Sequence, residues 1–154
     1  MDKTVLAYIF KDDQVLFLYR NKKEKDINKG KYVGIGGHLE KNETPVDALK
    51  REIKEETNLD IIDYFYHGEI YFSDTGYEEI MYLFSVYSFN GEISDCDEGD
   101  LHWIKIVDIS SLNMWEVDKY FIHYILNKNT FNKMSIIYSN SQLKNVVVDE
   151  QIKL

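Results

Sequence analysis

The sequence contains a single cysteine, Cys96, among its 154 residues. One cysteine cannot form an internal disulfide, and the chain has no cysteine cluster of the kind that binds zinc. Cys96 lies between Asp95 and Asp97, and two neighbouring carboxylates would raise the pKa of its thiol. A catalytic thiolate is therefore disfavoured.

Long apolar segments are also missing from the chain. No run approaches the ~20 apolar residues that a membrane-spanning helix needs. Residues 1–10 have the pattern of a strand and lack the basic segment and cleavage site of a signal peptide. We therefore expect no membrane association and a cytoplasmic location.

Positive charge is scarce, with 18 Lys and Arg against 27 Asp and Glu, and the net charge is −9. Such a surface repels polymeric nucleic acid, so a role in coating DNA or RNA is disfavoured. A small phosphate-bearing substrate remains compatible with this charge if a local cation bridges the acidic groups of the protein and the substrate.

Repeats, low-complexity tracts and linkers are absent from the sequence. With 44% hydrophobic residues the chain can bury a core, and we expect a single domain over residues 1–154. Periodicity and turn residues predict helices at 44–58 and 114–127, and a hairpin turn at Asn90-Gly91. The predicted strands are 4–10, 14–19, 61–73, 79–89 and 101–107, with short ones at 135–138 and 146–148. This mixture predicts an α+β fold.

The helix predicted at 44–58 has clear ends. Thr44 can serve as its N-cap, Pro45 suits the first helical position, and Asp47 follows the cap by three residues. Val46, Leu49 and Ile53 form one apolar stripe, which should face the core. Asn58 is a plausible C-cap in the left-handed conformation.

Three carboxylates lie on one side of this helix. Glu52 and Glu56 are spaced i,i+4 and Glu52 and Glu55 i,i+3, so all three project together. Two such charges ~4 Å apart repel by about 4 kcal/mol at an effective dielectric near 20. A bound divalent ion would turn this repulsion into attraction, and hard oxygen ligands favour Mg²⁺ or Mn²⁺.

Arg51 can pair with Glu55 at i,i+4, or reach back to Glu43, and so orient a carboxylate. The alternative is an ordinary charged helix face exposed to solvent. The glycines of residues 33–39, the helix cap, the arginine and the carboxylate spacing coincide here, which favours the metal site.

The segment from Gly37 to Leu59 closely resembles the Nudix box. That motif reads G, five residues, E, seven residues, then R-E-U-x-E-E-x-G-U, in which U is a bulky aliphatic residue. The matching residues are Gly37, Glu43, Arg51, Glu52, Ile53, Glu55, Glu56 and Leu59. Asn58 replaces the second glycine, but Asn tolerates a left-handed backbone better than other side chains do.

The resemblance implies a Nudix fold, in which a mixed sheet lies between helices as an α/β/α sandwich. It implies that Mg²⁺, or Mn²⁺ as a substitute, binds Glu52, Glu55, Glu56 and the Gly36 carbonyl. The ion would polarise a pyrophosphate while a carboxylate helps to activate water. Catalytic roles are implied for Arg51, Glu55 and Glu56, and substrate contact for Gly37.

Most of the remaining chain is similar to the Nudix branch that hydrolyses oxidised purine nucleoside triphosphates such as 8-oxo-dGTP. The segments that carry this similarity are 16–20, 30–37, 68–72, 97–99, the Trp103 strand and 114–118. By this resemblance Glu98 approaches the metal or activates water from a loop, and Trp115 and Asp118 stack on and hydrogen-bond the purine. Phe72 would form another wall of the purine site, and Arg20 would bind a phosphate.

Other interpretations of these residues stay open. Trp115 and Phe72 could be ordinary core aromatics, and Glu98 and Arg20 could be solvated charges. Val117 and Val33 replace polar residues found in some relatives, which affects base discrimination more than hydrolysis. The four histidines are expected to be structural or on the surface.

The sequence therefore predicts magnesium-dependent hydrolysis of a nucleoside triphosphate, such as 8-oxo-dGTP, to the monophosphate and pyrophosphate. This activity would cleanse the nucleotide pool and so protect DNA. One alternative is hydrolysis of ADP-ribose or a dinucleoside polyphosphate. An alternative of another class is a nucleotide-sensing module without catalysis, which should have lost the box carboxylates. The expected partner is a small nucleotide, and the chain is expected to be a monomer or homodimer.

Overall fold

The structure is a computed structural model and describes residues 1–153. These residues form two α-helices, α1 (Pro45–Thr57) and α2 (Asp118–Leu126), and a 3-10 helix at Ile106–Ser111. The strands are β1 (Asp2–Lys11), β2 (Gln14–Tyr19), β3 (Tyr32–Val33), β4 (Ile35–His38), β5 (Asp60–Asp74), β6 (Tyr77–Asn90), β7 (Asp100–Lys105), β8 (Lys133–Ser139), β9 (Gln142–Val148) and β10 (Gln151–Ile152).

The described strands join in one mixed sheet. Its main order is β10-β9-β8-β5-β6-β1-β2-β3, while β4 pairs with β1 and β7 with β2. The β1–β6 and β5–β8 pairs are parallel, and the other pairs are antiparallel. No helix among the described residues is long and apolar enough to cross a bilayer.

The two faces of the sheet carry separate apolar cores, because successive side chains of a strand point to opposite faces. Val5 and Ala7 of β1 pack in one core with Leu49 and Ile53 of α1. Tyr8 packs in the other core with the apolar face of α2. The helices therefore cover opposite faces, which confirms the predicted α+β sandwich.

Both ends of α1 form as predicted. The Thr44 hydroxyl accepts from the Asp47 N–H, and the Asp47 carboxylate accepts from the Thr44 N–H, which completes a capping box. Asn58 adopts the left-handed conformation (φ 69°, ψ 10°) and donates its N–H to the Lys54 carbonyl. The glycine that the box usually has here is thus replaced without loss of the turn.

The predicted hairpin turn at Asn90-Gly91 is wrong. Asn90 is the last residue of β6 and lies opposite Asp60, while the β5–β6 hairpin reverses at Thr75-Gly76. Both turn residues have positive φ, 28° and 85°, as a tight reversal requires. Gly91 (φ 98°) instead lets the chain leave the sheet after β6.

The second helix is shorter than predicted, since it begins at Asp118 instead of residue 114. The preceding segment is held by tertiary contacts that compete with helix formation: Asn113 accepts the Tyr32 N–H, and Trp115 binds Asn28. Strand β7 also ends earlier than predicted, at Lys105. The strands predicted at 135–138 and 146–148 correspond to β8 and β9, which are longer than predicted, at seven residues each.

Strand β5 has two different halves along its 15 residues. Its second half, from Glu69 to Asp74, pairs in register with β8. Three register irregularities in the β5–β6 ladder all fall in its first half, before Gly68.

Candidate active site

Two glycines of β4 bring the sheet close to α1. This strand pairs with β1, and a side chain at Gly36 would collide with the Val5 carbonyl oxygen. A Cβ at Gly37 would lie 2.5 Å from the carboxyl carbon of Glu52. The missing side chains therefore allow the Glu52 carboxylate to rest directly on the strand.

Arg51 ties this helix to the segment that precedes it. Its Nε and Nη2 donate to the two Glu43 carboxylate oxygens at 2.8 and 2.9 Å, and Nη2 also donates to the His38 carbonyl at 2.9 Å. Its Nη1 donates to Glu52 at 2.8 Å and to Glu55 at 3.3 Å. Arg51 thus makes both predicted pairings at once.

These bonds stabilise the charged forms of the partners. Hydrogen bonds from the Arg51 guanidinium, and then from the Glu40 N–H, lower the pKa of Glu43 to about 2. The same contact with Glu43 raises the pKa of Arg51 further above its ordinary value. The arrangement acts as a clamp, because all the guanidinium nitrogens are engaged.

The carboxylate of Glu56 is the most perturbed acid at this site. Burial, the neighbouring Glu98 and the charge of Glu52 raise its pKa to about 9, against a lowering by the Gly36 N–H. Its Oε2 atom is buried and has no hydrogen-bond partner. Burial also raises the pKa of Glu52, although Arg51 opposes that shift.

The donor set suits a hard divalent cation. Buried carboxylates that repel one another are costly, and an orphaned buried oxygen has lost its hydration without compensation. Mg²⁺ and Mn²⁺ prefer such oxygen ligands. Across residues 1–153, no three His, Cys, Asp or Glu side chains are already arranged to hold a metal ion. Glu52 is turned toward Arg51 and the Glu55 side chain is 57% exposed, so both would have to rotate.

Glu98 reaches the same site from the loop between β6 and β7. Its side chain is 30% exposed and lies near Arg20, Lys23 and Glu56. Its Oε2 is 3.5 Å from Arg20 Nη1, and its Oε1 is 3.6 Å from Lys23 Nζ. Arg20 also binds Asp26 through Nε at 2.8 Å. These two cations therefore balance the charges of Asp26 and Glu98 beside the candidate metal site.

Trp115 and Asp118 lie together at the start of α2. The indole N–H donates to Asn28 Oδ1 at 2.7 Å, and the Lys31 ammonium lies 4.8 Å from the ring centroid. Asp118 is only 7% exposed. Burial raises the pKa of Asp118 to about 7, although a hydrogen bond from the Trp115 backbone and the charge of Lys31 lower it in part.

Phe72 lies in β5 and borders the same apolar core as Trp115. Its ring contacts Tyr138 at 5.3 Å and Tyr77 at 6.2 Å between centroids. These contacts are those of a half-buried sheet aromatic.

The site includes residues that sequence reasoning missed. Asp26, Asn28 and Lys31 of the charged loop all approach the candidate site residues. One local feature of the sequence could have indicated them, because an aspartate in a loop often accepts the backbone N–H of the residue two positions later. Asp26 Oδ1 accepts the Asn28 N–H in this way at 3.0 Å. Burial, and then the charge of Asp118, raise the pKa of Tyr8, and no sequence pattern pointed to this residue.

Two other groups of residues behave as ordinary structural elements. His67 is buried and bonds the Asn129 carbonyl and the Ser85 hydroxyl, while the other histidines are exposed. Cys96 is buried, and that burial raises the pKa of its thiol.

Comparison with known proteins places this geometry in context. A family model described as NUDIX domain matches residues 2–125. The chain is 29% identical over 111 residues to the oxidized purine nucleoside triphosphate hydrolase of Mus musculus, covering 71% of each protein. It is 29% identical over 132 residues to the protein of that name from Danio rerio, covering 84% of this chain and 82% of that protein. An uncharacterized Nudix hydrolase of Bacillus subtilis (strain 168) is 31% identical over 121 residues, covering 75% and 73%.

Solved structures give the same grouping at the level of the fold. The crystal structure of a MutT protein from Bacillus halodurans superposes with a TM-score of 0.85 at 23% identity, covering 97% of this chain and 98% of that one. A MutT protein from Methanosarcina mazei Go1 superposes with a TM-score of 0.69 at 21% identity, covering 82% and 94%.

Proposed function

The chain belongs to the Nudix hydrolase family, and from that premise we propose that it hydrolyses a purine nucleoside triphosphate to the monophosphate and pyrophosphate. The proposed substrate class is the oxidised purines, such as 8-oxo-dGTP. Hydrolysis of these nucleotides would remove them from the nucleotide pool and so protect DNA. The observation that carries the catalytic part is the buried, unpartnered Glu56 oxygen between Glu52 and Glu98.

We propose that Glu52, Glu55, Glu56, Glu98 and the Gly36 carbonyl hold Mg²⁺, with Mn²⁺ as a substitute. When bound, this ion would neutralise the pyrophosphate and polarise its phosphorus–oxygen bonds. A cation beside Glu56 would restore its charged form, because a positive charge would offset the burial, and the repulsion from Glu98 and Glu52, that raise its pKa.

The protein side chains have distinct proposed roles in the reaction. Glu55, Glu56 and Glu98 are the candidates to orient the attacking water and accept its proton. Arg51 has its guanidinium fully engaged by Glu43, His38, Glu52 and Glu55, so it positions these carboxylates instead of binding phosphate. This sharpens the catalytic role that the sequence suggested for it.

The phosphates would lie between the glycine strand and the charged loop. Gly37 presents backbone without a side chain beside Glu52, and Arg20 lies 3.5 Å from Glu98. A guanidinium at this position can bind a phosphate oxygen once the nucleotide and its cation enter. Arg20 and Lys23 already balance the charges of Asp26 and Glu98, so the approach of phosphates to a chain of net charge −9 depends on the bound divalent cation as well.

The purine would be bound by Trp115, Asp118 and Phe72. An indole offers a flat apolar surface for a base. With a pKa near 7, Asp118 is partly protonated at neutral pH and can either accept or donate a hydrogen bond. Two relatives named as oxidized purine nucleoside triphosphate hydrolases support this choice of base.

A kinetic panel tests the proposal. The substrates are 8-oxo-dGTP, dGTP, 2-oxo-dATP, ADP-ribose and a diadenosine polyphosphate, at fixed Mg²⁺. Phosphate is assayed with and without added pyrophosphatase. We expect pyrophosphate as product and the highest kcat/KM for an oxidised purine triphosphate.

Other outcomes of this panel separate the alternatives. AMP and a sugar phosphate as preferred products would replace the triphosphate assignment with ADP-ribose hydrolysis. Nucleotide binding without turnover, at any Mg²⁺ or Mn²⁺ concentration, would indicate a sensing module. Equal kcat/KM for dGTP and 8-oxo-dGTP would remove the preference for oxidised bases but leave the reaction intact.

A further inference from the structure

The loop between β2 and β3, residues 20–31, touches both parts of the candidate active site. Arg20 at its start approaches Glu98, and Asn28 near its end binds the Trp115 indole. Two backbone bonds close its base: Arg20 donates its N–H to the Lys31 carbonyl, and Gly30 donates its N–H to the Arg20 carbonyl. The loop is therefore a closed lobe with a contact at each end.

Asp26 lies at the centre of this lobe. Most of the loop is exposed, but the Asp26 side chain is only 5% exposed. Its Oδ2 accepts from Arg20 Nε at 2.8 Å, and its Oδ1 accepts from the Asn28 N–H at 3.0 Å. Both carboxylate oxygens are thus used within the loop, one toward each end.

The contacts continue outward from these two neighbours. On one side, Arg20 Nη1 is 3.5 Å from Glu98 Oε2. On the other, Asn28 Oδ1 accepts from Trp115 Nε1 at 2.7 Å. A continuous polar path therefore runs from the candidate base-binding indole to the carboxylate that borders the candidate metal site.

We propose that Asp26 is a positioning residue that couples purine binding at Trp115 to the placement of Glu98, an inference that rests on the function proposed above. Asp26 keeps the guanidinium of Arg20 shared between two carboxylates. Without it, Arg20 would close fully on Glu98 and compete with a divalent cation for that side chain. On the other side, Asn28 and the indole that it binds would lose their fixed orientation.

The closing experiment compares Asp26→Asn with Glu24→Gln, a matched acid-to-amide change of an exposed residue in the same loop. The first change keeps the side-chain size but removes the charge that holds Arg20. We expect a fall of ~10-fold or more in kcat for a purine triphosphate, together with a rise in KM, and no such effect for Glu24→Gln. If Asp26→Asn behaves like Glu24→Gln, the proposal is refuted.

A double-mutant cycle tests the coupling itself. Asn28→Ala alone should raise KM mainly, and Arg20→Lys alone should lower kcat mainly. The combined variant should differ from the product of the single effects by at least ~3-fold in kcat/KM, as coupled residues do. Strictly multiplicative effects would overturn the proposal. This cycle needs no change at Asp26, so it decides the matter even if Asp26→Asn does not fold.

Fluorescence separates this inference from the proposed function. In a Trp103→Phe background, Trp115 is the only tryptophan. Its emission in the metal-free and nucleotide-free protein should shift in Asp26→Asn and stay constant in Glu24→Gln. Absence of turnover in the parent protein would refute the proposed function, and an unshifted emission would refute the link from Asp26 to Trp115.

Discussion

Replacing Asp118 by asparagine should change how the stability of the protein depends on pH. Burial raises the pKa of this carboxyl from 3.8 to about 7 in the folded state. The folded protein therefore holds a proton that the unfolded chain releases, and stability is lost as the pH rises from about 4 to about 7. Asparagine has nearly the same shape but no charge to bury.

The size of this effect follows from the shift. About three pKa units at 1.36 kcal/mol each correspond to about 4 kcal/mol of stability lost across that range. Solvent screening reduces this value little, because the side chain is 7% exposed. The free energy of unfolding of Asp118→Asn, relative to that of the parent, should thus rise by up to about 4 kcal/mol between pH 4 and pH 8.

Urea unfolding in the presence of a chelator measures this difference at pH 5, 6, 7 and 8. Asp63→Asn, an exposed change in β5, serves as the control and should show no such trend. A difference between parent and Asp118→Asn that stays constant from pH 5 to pH 8 would refute the reasoning. The KM for a purine triphosphate should also vary with pH near neutrality in the parent and lose that dependence in the variant.

Three further changes test the proposed site. Glu56→Gln should lower kcat by at least ~100-fold while the circular dichroism spectrum stays native, because the Glu52, Glu55 and Glu56 group loses its buried carboxylate. The control Glu78→Gln, an exposed change, should keep full activity, and a wild-type kcat in Glu56→Gln would exclude the proposed role. Trp115→Ala should raise KM for purine triphosphates ~10-fold or more, as expected for loss of base stacking, and equal effects on ribose-pyrophosphate substrates would remove Trp115 from the base site. Gly37→Ala should lower kcat, because its Cβ would lie 2.5 Å from the Glu52 carboxyl carbon and would displace that flexible carboxylate. The Tm should change little, since the Glu52 side chain can rotate away, and an unchanged kcat would contradict the close packing.

The parts of the site that local rules govern could be predicted from the sequence. Helix spacing places Glu52, Glu55 and Glu56 together, and cap chemistry sets the ends of α1 at Thr44 and Asn58. These features depend on neighbours within about one helical turn. They therefore survive in the sequence as a readable pattern.

Other parts depend on contacts between distant segments. The region before α2 is not helical because Asn113 and Trp115 bind residues 32 and 28, more than 80 positions away. Asp26 looks like one charge among many in a loop until Arg20 folds over it. The prediction of a hairpin turn at Asn90-Gly91 was wrong for the same reason, because pairing with β5 from Asp60 onward sets where β6 ends.

The two halves of β5 protect the sheet from unwanted pairing in different ways. Exposed strand edges with regular geometry can recruit a strand from another molecule and so seed aggregation. From Glu69 onward the edge is covered by β8, whereas before Gly68 the edge lacks that cover and is broken by irregular register. Because bulges twist an edge away from a regular template, the irregular half protects itself. The regular half depends on the β8–β9 hairpin for its cover, and a chain that ended before residue 133 would expose this edge to pairing with a strand of another molecule.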